Sequence, residues 1–438
     1  MKRFLIAINL FTVVALGASS QTITLQECLT KGLENNFSIR ISRNQEQIAH
    51  NNATLANAGY LPSINLNAGY NADLSSSDSK LRATGETAEI RNSLDHTLNA
   101  GIGLSWTIFD GFNISTNYRQ LKELERMGEI DTRITLEDFI AGLTAEYYNF
   151  IQQRLRLANY YYAVQLSKER LRIVEERYNI GNFSRLDYQQ AKVDFNADSA
   201  QYIKQQEVVL TSRIALNEMM AIEEVYTPIE TQETTIATDT SLVFNDLWNK
   251  MLNNNATLLL ASQNSTLAQL DYKKVLSRNY PYIKFNAGYD YSFSKYDTNS
   301  YTRRSNWGGS AGITIGFNLW DGNRKREKRN AKIGIENAQL QHDRLKLALK
   351  AELGNLWQAY RNNIQLLNLE KQNVITAREN HEIAKERYML GDISGIEMRE
   401  AQKSLLDAEE RLLSVEYQTK LCEISLQQIT GEVSKYLE

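Results

Sequence analysis

The chain repeats itself. Asn35-Asn36 returns as Asn254-Asn255, and Tyr60-Leu61-Pro62 as Tyr280-Pro281. Phe109-Asp110-Gly111 returns as Trp320-Asp321-Gly322. Glu176-Arg177-Tyr178, with Gly181 and Ser184 after it, returns as Glu386-Arg387-Tyr388, Gly391 and Ser394. The order is kept, at offsets of about 210 to 219 residues. Solenoid repeats run to only roughly 20 to 50 residues. The longer period fits a duplicated half-structure, each half a helix, two strands, a long helix, a tight turn and a returning helix. The first half covers residues 21–228 and the second 229–438.

Residues 1–20 read as a secretory leader. Lys2 and Arg3 give the positive start, Phe4 to Leu16 the apolar stretch, and Ala18-Ser19-Ser20 the small residues before a cut near Gln21. The apolar run falls short of the roughly 20 residues a spanning helix needs. No later stretch is long and apolar enough for such a helix. Cys28 lacks the context for lipid attachment. Cys28 and Cys422 could pair or stay as half-buried thiols, and spacing does not decide between these.

Four segments alternate strictly between apolar and polar residues, over about 62–74, 98–109, 281–293 and 309–320. In the first, Ile64, Leu66, Ala68, Tyr70 and Ala72 interleave with Asn65, Asn67, Gly69, Asn71 and Asp73. A period of two with unlike faces marks a strand between two media. Each run is near the roughly 9 to 11 residues that a tilted strand needs to cross a bilayer. Phe109 and Trp320 stand at run ends, where aromatic girdles lie. The polar stretches Ser75 to Asp95 and Ser294 to Asn306 read as loops on the outer face. Four strands cannot close a barrel, yet an open edge in lipid is not tolerated. Several copies must therefore complete one barrel, and the glycine-rich polar face suits a water-filled bore.

Proline breaks helix interiors, and the chain has only three, Pro62, Pro228 and Pro281. The stretch from Gly111 to Tyr178 therefore reads as one long helix, and that from Gly322 to Tyr388 as another. Phe139, Leu143, Phe150, Leu157, Val164, Val174 and Tyr178 form a heptad-like seam. Leu349, Leu353, Tyr360, Leu367, Val374, Ala384 and Tyr388 repeat it. Gly181 and Gly391 suit the left-handed position that ends a helix. Ser184 with Asp187, and Ser394 with Glu397, fit capping boxes that start the return helices. The tip turns are thus 181–184 and 391–394. Thr-rich Tyr226 to Thr240 reads as the connector between halves, lying across the helices.

Apolar residues make up 42% of the chain, enough for a core, and a net charge of -3 gives no reason to expect nucleic acid. The four histidines lie in separate segments without ligand-spaced partners, so neither metal nor cofactor is expected. There is no phosphate loop or nucleophile elbow, and no enzymatic activity is expected.

The doubled order of these motifs resembles the TolC family of outer-membrane efflux channels. That resemblance covers nearly the whole mature chain and implies an α+β membrane protein. A long periplasmic α-helical coiled-coil barrel would run on into a transmembrane β-barrel shared by a homotrimer, four strands per chain. It implies an exit duct for efflux or type I secretion, set in outer-membrane lipid. Its partners would be a periplasmic adaptor and an inner-membrane pump of the RND or ABC type.

The family's periplasmic gate maps by position onto Asp187, Glu397, Glu400 and Tyr388. Its adaptor-docking tips map onto Gly181, Ser184, Gly391 and Ser394. Where the family carries a latch arginine this chain has Ile393, which puts that salt bridge in question; Arg185 of the other turn is the candidate substitute. Asp187 and Glu397 equally suit simple capping. A passive porin would account for the strands alone, and a periplasmic coiled-coil scaffold for the helices alone.

Overall fold

The computed structural model describes residues 21–80, 82–299 and 301–437, so the leader expected over 1–20 lies outside the described residues. The chain forms two compact units. One gathers the chain up to Ser42, Arg133–Ala256 and the part from Leu347 onward; the other holds Arg43–Thr132 and Thr257–Lys346.

The second unit carries four long strands, β2 (Ser63–Lys80), β3 (Thr87–Asp110), β5 (Tyr282–Lys295) and β6 (Arg303–Gly316). They form one antiparallel sheet in the order β2-β3-β5-β6. Each half of the chain supplies a hairpin, and the β3–β5 ladder joins them.

Two expected boundaries change. The stretch Ser75 to Asp95 is not mainly a loop, because β2 continues to Lys80 and β3 begins at Thr87. Backbone pairing such as Ser79↔Ala88 carries the hairpin past the apolar zone, where side-chain alternation no longer signals a strand. Above His96↔Lys295 no third strand pairs with this hairpin, although the Asp297 N–H donates to Asp95 at 3.1 Å and Thr298 donates to Ser93. Likewise Ser294 to Asn306 shrinks to a short turn between Lys295 and Arg303. The fourth strand, expected over 309–320, is shifted to Arg303–Gly316. Its partner β5 begins at Tyr282, which pairs with Gly316, so Phe317 to Trp320 have nothing to pair with.

Helices α2 (Phe37–Asn52), α3 (Leu55–Ala58) and α7 (Ala256–Ser277) precede the strands. Within this unit the base of the sheet is tied down by Trp106, whose indole N–H donates to the Tyr60 carbonyl at 2.9 Å.

Two 67-residue helices follow the strand hairpins, α4 (Asn113–Asn179) and α8 (Arg324–Leu390). At 1.5 Å per residue each is about 100 Å of unbroken helix. Each turns tightly into a 35-residue return helix, α5 (Arg185–Met219) and α9 (Gly395–Ile429).

In the first unit the seam residues Leu143, Phe150, Val174, Leu353, Tyr360, Leu367 and Tyr388 are buried. The repeat is physical here. Asn36 donates from Nδ2 to the Met219 carbonyl at 3.1 Å, and Asn255 donates to the Ile429 carbonyl at 2.9 Å. Each asparagine follows the end of a short helix, α1 (Leu25–Asn35) or α6 (Phe244–Asn254), and locks it to the end of the following return helix.

The expected connector is more than a loop. Its Ile229–Thr231 (β4) pairs in parallel with Gln21–Ile23 (β1). Tyr147 donates its hydroxyl to the Ile23 carbonyl and to Glu233. Near the C-terminus, buried Lys420 pairs with Glu423 at 2.8 Å and lies over the rings of Tyr148 and Tyr436.

Cys28 and Cys422 are free thiols, and burial pushes the Cys28 thiol up to about 12. Among the described residues no helix is long and apolar enough to cross a membrane, and no group of three His, Cys, Asp or Glu could hold a metal ion.

Candidate functional site

Two regions are the candidates for function, and each lies inside one unit. The first is the strand sheet. Its register brings like residues opposite like on every ladder. Leu66 faces Ile102, which faces Tyr289; Leu98 faces Phe293; Phe285 faces Ile313; Tyr291 faces Trp307. These form one apolar face across all four strands, and it is uncovered: Leu66 is 77% exposed and Ile313 65%.

The opposite face aligns Asn67 with Gly101 and Asp290, and Asn99 with Ser292 and Asn306. An uncovered apolar surface of this extent requires a non-aqueous medium. Among the described residues the outer edges of β2 and β6 have no neighbouring strand.

The second region is the pair of helical hairpin tips. Gly181 and Gly391 take φ of 83° and 86°, the left-handed region that glycine enters without a Cβ penalty. Both capping boxes form. Ser184 Oγ accepts the Asp187 N–H at 3.2 Å while Asp187 Oδ2 accepts the Ser184 N–H at 3.1 Å. Ser394 Oγ and Glu397 do the same at 3.3 and 2.7 Å. These bonds to the charged form hold the Glu397 carboxyl below its ordinary value.

The structure does not bring all the expected gate residues together. Arg185 begins its helix and Glu400 lies on the second turn of its own; both are exposed, and among the described residues neither has an ion pair. Tyr388 is buried, and burial pushes its phenol pKa up. Among the described residues its hydroxyl has no hydrogen-bond partner. At the turns themselves an arginine that crosses between the hairpins is Arg177. It donates to the Met389 carbonyl at 3.1 Å, and its guanidinium lies over the rings of Phe183 and Tyr388.

Further from the tip an ion triad joins three helices. Arg170 of α4 donates to Asp194 of α5 at 2.7 Å, and Arg399 of α9 also pairs with Asp194. The side chains of Arg170 and Asp194 are 7% and 5% exposed, whereas Arg399 is 46% exposed. Burial pulls the Arg170 guanidinium below its ordinary value, with Asp194 opposing that shift. The triad and Tyr388 line a cavity of about 270 Å³, with Asp187 on its wall.

Sequence reasoning missed Arg170, Asp194 and Arg399, because it sought apolar seams and motifs present in both halves, and it met Arg177 only as part of a repeated motif, without a role. The signal was there as charge on seam-facing positions. In the other half the matching residues are Asn380, Arg387, Ser404 and Gln189, so only Arg177 has a charged counterpart.

An amphipathic strand sheet that needs lipid, carried by long paired helices, defines an outer-membrane channel with a helical extension. Comparison with known proteins identifies the group. The family model described as "Outer membrane efflux protein" matches residues 29–221 and 247–432, and the chain belongs to that family. It is an outer-membrane channel component of tripartite efflux systems, with its helices on the periplasmic side.

The chain is 22% identical over 436 residues to the outer membrane protein TolC of Vibrio cholerae, covering 97% of this chain and 95% of that protein. Its fold matches the outer membrane protein VceC of Vibrio cholerae with a TM-score of 0.74 at 16% identity, over 93% of this chain and 96% of that one. It matches the CmeC outer membrane channel of Campylobacter jejuni with a TM-score of 0.77 at 15% identity, over 93% and 85%.

Proposed function

We propose that three copies of this chain close one twelve-stranded barrel and one periplasmic tunnel. The assembly serves as a passive exit duct, without catalysis of its own, for an inner-membrane pump reached through a periplasmic adaptor. The observation that carries this reading is the four-stranded sheet with one continuous apolar face and two unpaired outer edges. Backbone groups at an edge cannot stay unpaired in hydrocarbon, and twelve strands leave an aqueous bore where four cannot close.

Paired cysteines placed on β2 and β6 test it directly. Oxidation in intact outer membranes is expected to give a covalent trimer that runs as one species in denaturing gels. Cross-linking only within a chain, or to a dimer, would overturn the trimeric barrel. Deletion of the gene is expected to lower tolerance to exported toxic compounds, an outcome that a passive porin would not give.

The tips are the proposed gate and docking surface. Asp187 and Glu397 each cap a return helix, and Glu400 follows Glu397 by three residues, a little less than one helical turn. Three copies would place a ring of carboxylates at the narrow end, concentrating cations and repelling anions. Glu400→Ala is expected to lower cation selectivity in planar bilayers, read as a shift of the reversal potential toward zero. An unchanged potential removes Glu400 from the constriction.

Docking is proposed at Gly181, Ser184, Gly391 and Ser394. A Cβ built on Gly181 or Gly391 meets nothing within 4 Å, so larger side chains have room there. The cost of Gly181→Gln with Gly391→Gln is the positive φ alone, about 1 to 2 kcal/mol per residue. The double variant is therefore expected to reach the outer membrane in normal amount and to lose adaptor cross-linking and efflux. Intact efflux would place the docking surface elsewhere.

A further inference from the structure

The start of α8 carries more positive charge than its fold uses. Residues 324–332 read Arg-Lys-Arg-Glu-Lys-Arg-Asn-Ala-Lys. Arg324 is spent internally, donating to the Asn318 carbonyl at 2.8 Å, and Glu327 is taken by Arg278. Lys325, Arg326, Lys328, Arg329 and Lys332 are exposed, and among the described residues none of the five has an ion pair or hydrogen bond.

At 100° per residue, Lys325, Lys328, Arg329 and Lys332 fall within about 100° of arc, one stripe on one helix face. Arg324, Glu327 and Ala331, which are partly buried, lie on a different side. Helix stability does not account for the stripe, since the positive end of the helix dipole repels cations. The fold does not demand it either. Offset by 211 residues, the matching positions of the first half are Ile114, Asn117, Tyr118 and Leu121, all uncharged.

What lies next to the stripe points to its partner. The uncovered apolar face of β6 ends with Ile313 and Ile315, and Phe317, Leu319 and Trp320 continue after the strand. Leu319 is 87% exposed and Trp320 84%. Exposed tryptophan beside a membrane strand marks the boundary between hydrocarbon and headgroups. The first cation comes five residues after Trp320, and Lys325 to Lys332 spans about 10 Å of helix. The headgroup layer is roughly 5 to 7 Å deep, and the long stems of lysine and arginine extend the reach of their charges. Four cations at this depth meet phosphates.

We infer that the stripe of Lys325, Lys328, Arg329 and Lys332 is a docking surface for anionic phospholipid headgroups on the periplasmic side of the outer membrane. It anchors the helix where it leaves the barrel. The inference rests on the strand sheet spanning that membrane. Clusters of this size next to a membrane segment bind anionic lipid additively and are weakened by salt.

The full-length protein in detergent is titrated with dioleoylphosphatidylglycerol, and with dioleoylphosphatidylcholine as the neutral probe, and bound lipid is read by native mass spectrometry. The variant K325Q/K328Q/R329Q/K332Q is expected to lose at least about tenfold in phosphatidylglycerol affinity. Its phosphatidylcholine binding stays unchanged. K325R/K328R/K332R, which keeps the charge, binds like the native chain. K204Q/K371Q/K385Q/K403Q, which removes as much charge from the exposed faces of the other unit, also binds like the native chain.

Native-like phosphatidylglycerol binding by the stripe variant overturns the inference, as does an equal loss in the remote variant. A shifted reversal potential with unchanged lipid binding would mean that the cations line the bore. If the native protein retained neither lipid, the membrane-spanning sheet itself would be wrong, a failure distinct from that of the stripe.

Discussion

Asp194→Ala is expected to release the periplasmic tips and raise single-channel conductance in planar bilayers several-fold. Asp194 sits at the centre of a triad that binds α4, α5 and α9 together. Its partner Arg170 is almost wholly buried, so removing the carboxylate takes away the only acid that pairs with that guanidinium directly and leaves Asp198 acting on it from further off. Such a break costs about 3 to 5 kcal/mol, whereas loss of an exposed ion pair costs about 0 to 1. Arg399→Ala is accordingly expected to do much less, because Arg399 is half in water.

The decisive variant is the double replacement R170M/D194L, which removes both buried charges and refills the volume. Apolar residues of similar size often match or exceed a buried pair in stability, so conductance is expected to fall back toward the native value. A double variant as open as Asp194→Ala would show that the charges act in some way other than clasping the hairpins. An Asp194→Ala channel with native conductance would remove the triad from gating altogether.

Gly111→Ala and Gly322→Ala change the same letter of a repeated motif and are expected to differ sharply. Gly111 has a φ of 70°, and an added Cβ would lie 2.2 Å from the Ser277 carbonyl oxygen and 2.8 Å from Tyr280 Cβ. Both the left-handed backbone and the contact oppose alanine, together about 3 kcal/mol or more. Phe112 follows at φ 72°, and Asp110 accepts the Ile114 N–H at 2.9 Å, so the whole turn from β3 into α4 is built on this glycine.

Gly322 has no positive φ, and its added Cβ would meet only the Trp320 ring at 3.4 Å. Gly322→Ala is expected to cost under about 1 kcal/mol. The readout is the amount of heat-modifiable protein in outer-membrane fractions. Gly111→Ala is expected to reduce it severely and Gly322→Ala hardly at all. Equal levels for the two would refute a specific role for the Gly111 turn.

That contrast shows how far a repeated sequence can be trusted. The strand pattern was legible because one face meets lipid: Ile64, Leu66 and Tyr70 could alternate only as a strand. Its ends were not legible. Ser77 to Lys80 pair with Thr87 to Ile90 through the backbone ladder, beyond the zone where apolar side chains carry a signal. Phe317 to Trp320 alternate well but lie past the end of the partner strand.

At the tips, Gly181, Ser184 and Asp187 were legible because turn and cap chemistry is local. The clasp was not. Asp194 and Arg399 lie on different helices and meet only when the two hairpins pack, and no spacing along the chain encodes that. Tyr388 was placed correctly on a seam, but Arg177, whose guanidinium lies over its ring, is reached only through packing.

The pairing of Gln21–Ile23 with Ile229–Thr231 sets an order on biogenesis. The first of these segments waits for more than 200 residues to be exported before its partner exists. The β3–β5 ladder imposes a similar delay, with α4 and α5 lying between its two sides in the chain. Contacts this distant in sequence form slowly and leave sticky surfaces uncovered meanwhile. The nascent polypeptide therefore depends on periplasmic chaperones until its second half arrives, and a truncation before Ile229 would yield an aggregating fragment rather than half a channel.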